Sequence, residues 1–88
     1  MMNELQDLPN IGPVVAEQLQ RVGISAPGTL IALGSVEAAL RLEESGVNVC
    51  ASKLAALEGA VRGVRWHLIP ANERTALRKR FETERRAR

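Results

Sequence analysis

Glycine and proline fall so often along this 88-residue chain that no long element can form. Between them, apolar residues recur at steps of three and four, the period of one face of a helix, and no strand-like alternation appears. A first helical piece runs to Leu8 and stops at Pro9, because a residue before proline is driven out of the helical region. The second opens near Pro13, where a missing N–H costs nothing, carries Val15, Ala16, Leu19 and Val22, and ends at Gly23. Ile24 is placed to make the apolar contact that accompanies a left-handed glycine cap. Ser25 is the expected N-cap of a third piece through Leu30 and Leu33, ended by Gly34. Ser35 is the expected cap of a fourth, Val36 to Ser45, ended by Gly46. Asn48 is read as the cap of a fifth, with Cys50, Leu54, Leu57, Val61 and Val64 along one stripe. Pro70 opens a last helix whose apolar face is only Leu77 and Phe81. The class is all-α, a compact bundle of five to six short helices in a single domain, residues 1–88.

Composition narrows the function more than it names it. A chain this short buries only roughly 60–65% of its unfolded surface, so its core must pack economically or gain from a partner. Trp66 and Phe81 are the only aromatics. Trp66 is expected to anchor the core, and the lone Cys50, on the apolar stripe, is expected to be packed inside. One cysteine allows no internal disulfide, and His67 has no companion at metal-ligand spacing. Neither a nucleophile with its base and orienting group, nor a phosphate loop, nor a dinucleotide fingerprint is present, so no enzyme and no cofactor are expected. No apolar run is long enough for a membrane span and the N-terminus has no secretory pattern, which gives a cytoplasmic expectation.

Charge is divided along the chain. Up to Val49 the six acids Glu4, Asp7, Glu17, Glu37, Glu43 and Glu44 face only Arg21 and Arg41, net −4; from Cys50 onward the net is +6. Such a split marks a solvated dipolar surface, a head-to-tail contact between copies, or a basic face for an acidic partner. Arg74, Arg78 and Arg85 lie near one helical stripe, with Lys79, Arg80, Arg86 and Arg88 beside them. On the last helix, Glu82–Arg86 and Glu84–Arg88 have the acid-first spacing that favours ion pairs.

The segment from Leu5 to Leu19 resembles the helix-hairpin-helix motif. A chain reversing between two helices in about four residues needs positive φ, which Gly12 is expected to supply. Asn10, the next most tolerant residue, stands where the motif usually has its first glycine. Ile11 is the plug between the helices and Ala16 is small so that they can approach. In DNA-binding proteins with this motif, hairpin amides and the following helix N-terminus face a phosphate; here Pro13 removes one amide, and Val14 replaces the usual Lys or Arg. Carried further, Leu8-Pro-Asn-Ile-Gly-Pro13, Val22-Gly-Ile24, Leu33-Gly34 with Glu37-Ala38, Leu54-Ala-Ala-Leu57-Glu-Gly-Ala60 and Gly63-x-x-Trp66 resemble the C-terminal domain of the TfoX/Sxy family. The better-known members carry a further N-terminal domain, so this chain is expected to be a stand-alone C-terminal module. The resemblance implies a helix-hairpin-helix (SAM-like) core and a non-enzymatic regulatory role, in the family's case in bacterial competence, through contacts with an unidentified protein or a second copy. The alternative is non-specific nucleic-acid binding through the hairpin or the basic last helix. Candidate contacts to a partner or to DNA are Asn10, Ile11, Gly12, Val14, Arg74, Arg78, Lys79, Arg80 and Arg85, and candidate self-association residues are Leu77 and Phe81.

Overall fold

A computed structural model describes residues 4–88. Five α-helices follow one another: α1 (Pro13–Arg21), α2 (Pro27–Leu33), α3 (Ser35–Glu44), α4 (Ala51–Arg62) and α5 (Ala71–Arg86). Short 3-10 turns precede α1 (Leu5–Asp7) and join α4 to α5 (Trp66–Leu68). Among the described residues there is no strand. The first expected helix is only that 3-10 turn; its beginning, Met1–Asn3, lies outside the described residues.

The helix ends are set by backbone chemistry. α1 starts on Pro13 and stops where Gly23 turns left-handed (φ 84°). There the Ile24 amide donates to Leu19 O at 2.9 Å and the Gly23 amide to Gln20 O at 3.1 Å, so two orphan carbonyls are satisfied and Ile24 is delivered into the core. The N-caps depart from expectation. Ala26, Gly34 and Cys50 hold the cap positions of α2, α3 and α4, not Ser25, Ser35 and Asn48. Proline at the first position of α2 makes the residue before it the cap, which leaves Ser25 outside. Ser35 sits inside the first turn of α3, buried, with its hydroxyl donating to Glu58 Oε1 across the α3–α4 interface at 2.5 Å. A buried hydroxyl must find a partner, and the tertiary one has displaced the local one.

α3 is the centre of the bundle. Val36, Ala38, Ala39, Leu40 and Leu42 are all buried, and α1, α2, α4 and α5 each pack on it. Its alanines let neighbouring backbones come close, while Leu19, Ile24, Leu30, Leu54 and Leu57 fill the space between. α5 closes the far side with Leu77 and Phe81, which are 9% and 2% exposed. These two residues therefore complete the chain's own core and leave no apolar stripe there for a second copy. The Cα radius of gyration, 11.9 Å, matches the ~12 Å of a fully collapsed domain this long.

The hairpin follows the expected path at Asn10 and departs from it at Gly12. Asn10, not Gly12, is left-handed (φ 69°); Gly12 is extended (φ −94°, ψ −177°) and caps α1. Pro13 is the reason, since it confines the residue before it to the extended region. Space for a side chain at Gly12 is open. Gly12→Ser should therefore leave the midpoint of thermal unfolding unchanged, within ~0.5 kcal/mol of the parent's stability. Asn10→Val should lower stability by at least ~1–3 kcal/mol, the strain of a β-branched residue in that region. Equal melts for the parent and Asn10→Val would refute the assignment.

Candidate functional site

Asn10 does more than turn the chain. Its Nδ2 donates to Val64 O at 3.0 Å and to Ala56 O at 3.3 Å, and its Oδ1 accepts from the Trp66 amide at 3.2 Å. The side chain thus ties the hairpin to the middle of α4 and to the segment that follows the helix. Gly59 makes room for it: a Cβ there would fall against Asn10 Nδ2 and 2.6 Å from Val64 O. The sequence reading named the Leu-Glu-Gly-Ala and Gly-x-x-Trp elements without linking them to the hairpin. This clamp is the link.

The expected hairpin contact set is largely unavailable to a ligand. Ile11 is buried, as its role as a plug requires, and the polar atoms of Asn10 are engaged within the chain. Gly12 is exposed and offers no side chain. Val14 is 67% exposed, an apolar group at the mouth of the hairpin.

The charge split is drawn together inside the molecule. Arg88 pairs with Glu37 and with Glu44, the latter at 3.2 Å, and Arg85 Nε stands 3.4 Å from Glu43. Arg85 also lies over the Phe81 ring, 4.8 Å from its centroid. The acidic α3 and the basic end of α5 thus clasp one another. The expected Glu82–Arg86 and Glu84–Arg88 pairs are not formed; Glu84 pairs with Arg80 instead, and Arg88 reaches across to α3. Each such surface pair is worth ~0–1 kcal/mol, so the clasp orients α5 more than it holds it. Burial raises the pKa of Glu37, but hydrogen bonds from Arg41 and Arg88, with their charges, outweigh it and bring the carboxyl below its ordinary 4.5.

Arg74 and Arg78 are placed differently. With Trp66, they border a groove of about 230 Å³ between the start of α4 and the first half of α5, walled by Ala51, Ala55 and Ala71. Trp66 is 40% exposed, so it is not the core anchor the sequence suggested. Its indole stands in this groove with the Arg74 guanidinium 5.6 Å from the ring centroid. Cys50 is likewise exposed, at the cap of α4, in a smaller adjoining cleft with Arg78 and Arg85. The amide of Lys53, helped by that of Ser52, sets its thiol below the usual pKa, against burial, which raises it. Lys79 and Arg86 are exposed, and Arg80 is engaged with Glu84. The structure therefore divides the predicted basic cluster: Arg80, Arg85 and Arg88 face acids of the chain, while Arg74 and Arg78 face the groove.

Comparison with known proteins gives a consistent picture. The profile of the family described as the TfoX C-terminal domain matches residues 1–81. Two crystal structures from Listeria monocytogenes are similar to this chain, both 44% identical. One is an uncharacterized protein in a triclinic form, with a TM-score of 0.84 over 91% of this chain and 91% of that one. The other is a protein of unknown function in a tetragonal form, with a TM-score of 0.83 over 90% of this chain and 96% of that one. No curated protein matches.

The clasp makes a pH signature. A carboxyl whose folded pKa is depressed contributes stability above its unfolded value and loses it as pH falls through the folded one. Stability of the parent should therefore decline below about pH 4.5, with Glu37 contributing up to ~1 kcal/mol of the loss. Glu37→Gln should be less stable than the parent at neutral pH and converge with it in acid. Parallel unfolding curves from neutral pH to about pH 3 would show that Glu37 takes no part.

Proposed function

The chain belongs to the TfoX C-terminal domain family, a non-enzymatic regulatory and interaction module, and from that membership we propose that it works through contacts with another protein. The observation that carries this reading is the distribution of exposed groups. Trp66 and Leu68, 40% and 64% exposed, stand on the turn that Asn10 fixes. Aromatic anchors beside arginines are the composition of protein interfaces. The process such a module would regulate is, by analogy with its family, bacterial competence, and its setting the cytoplasm; among the described residues no helix is long and apolar enough to cross a membrane.

Nucleic-acid binding is the weaker reading. At the hairpin, where a phosphate would lie, Pro13 has no amide and Val14 carries no charge. Non-specific affinity comes from exposed cations releasing counterions, and Arg80, Arg85 and Arg88 are already paired with acids.

Fluorescence anisotropy with a short labelled duplex should give no complex tighter than about 10⁻⁴ M at physiological salt. Replacing Arg78, Lys79 and Arg80 with alanine should change that weak binding little in absolute terms. A tight, salt-sensitive complex abolished by the triple variant would overturn the preference for protein contacts.

A further inference from the structure

Building on the protein-contact reading, we propose that the groove between α4 and α5 holds an acidic segment of a partner, its carboxylates paired with Arg74 and Arg78 and an apolar side chain laid against Trp66. Three observations converge there.

The first is charge. Among the described residues, Arg80, Arg85 and Arg88 find acids within the chain, whereas neither Arg74 nor Arg78 makes an ion pair. Arg74 Nε is closed off from solvent and has no hydrogen-bond partner. That leaves the charge of the guanidinium unpaired within the chain, and a carboxylate in the groove is its natural complement. The start of α4 adds the positive end of a helix dipole to the same wall.

The second is shape. Ala51, Ala55 and Ala71 keep the walls low, so a peptide backbone can approach closely. Trp66, Arg74 and Arg78 border this one groove, which is long enough for a short extended segment, while Glu82 in the adjoining cleft marks where an acidic segment would end.

The third is spacing. Arg74 and Arg78 are one helical turn apart, ~6 Å along the axis. Side chains two residues apart on one face of an extended chain are ~6.6 Å apart. Acids at alternate positions would meet both arginines in register, with an apolar neighbour beyond them reaching the exposed indole.

The test uses the intact chain and a short fluorescein-labelled peptide of alternating Glu and Leu, with a Lys and Leu peptide of equal length as control. Trp66 is the only tryptophan, so its emission reports directly on the groove. The acidic peptide should bind and shift that emission, and the control should do neither. Arg74→Gln with Arg78→Gln should weaken binding by at least about tenfold, the scale of lost charge-assisted bonds. Lys79→Gln with Arg86→Gln, an equal change of charge outside the groove, should leave it within about twofold. Thermal melts of both pairs establish that the fold is retained; should the first pair melt early, the same comparison is made with Arg78→Gln alone. Absence of peptide binding, an unmoved Trp66, or equal loss in both pairs would overturn the groove while leaving the protein-contact reading intact. Tighter binding of a short DNA, dependent on Arg74 and Arg78, would overturn both.

Discussion

The amide of Asn10 joins the two ends of this fold. Its three hydrogen bonds reach residues 46, 54 and 56 positions away, at Ala56, Val64 and Trp66. Everything near the candidate site depends on them. They fix the hairpin against the middle of α4 and the segment beyond its end, which through Gly63 leads the chain toward Trp66 and α5. The Trp66 backbone is held by the same side chain, which is why its indole can stand exposed without the turn being loose. A left-handed residue and a helical glycine at position 59 are the two backbone concessions that the clamp requires.

Once α5 is launched from that turn, its two flanks meet different surroundings. Leu77 and Phe81 go into the core against α3, and the C-terminal arginines meet the acids of α3. The acids of α3 are thus matched within the chain by Arg85 and Arg88. A second copy that used Leu77 and Phe81 would have to displace them from the chain's own core. Among the arginines of α5 without an ion pair, Arg74 and Arg78 stand together with the Trp66 indole beside the start of α4.

Backbone-governed features were legible in the sequence, because glycine and proline act on the chain wherever it goes. The starts of α1 and α5, the stops at Gly23, Gly34 and Gly46, and the all-α class follow from them. The proline rule could have been pressed further: a residue before proline is extended, so Gly12 could not be left-handed and Ala26 had to be the cap of α2. Side-chain assignments fared worse where a partner distant in sequence decided them. Ser35 looks like a cap until Glu58 is beside it, and Trp66 looks like a core residue until Asn10 is seen to hold its backbone at the surface. Cys50 belonged to a helical stripe only if the helix began earlier, and α4 begins at Ala51. The family resemblance carried the fold to nearly the whole chain, but it could not show that α3 neutralises the end of α5.

The clamp is tested most directly at Gly59, where helix propensity and packing make opposite demands. In an ordinary helix interior, glycine to alanine stabilises by ~1 kcal/mol. Here the new Cβ would meet Asn10 and a backbone carbonyl. Denaturant unfolding of Gly59→Ala should show a loss of at least ~1–3 kcal/mol, the usual cost of overpacking a closed site. The loss should be smaller in an Asn10→Gly background, where the left-handed turn survives without its side chain. Increased stability of Gly59→Ala, or strict additivity with Asn10→Gly, would contradict the clamp.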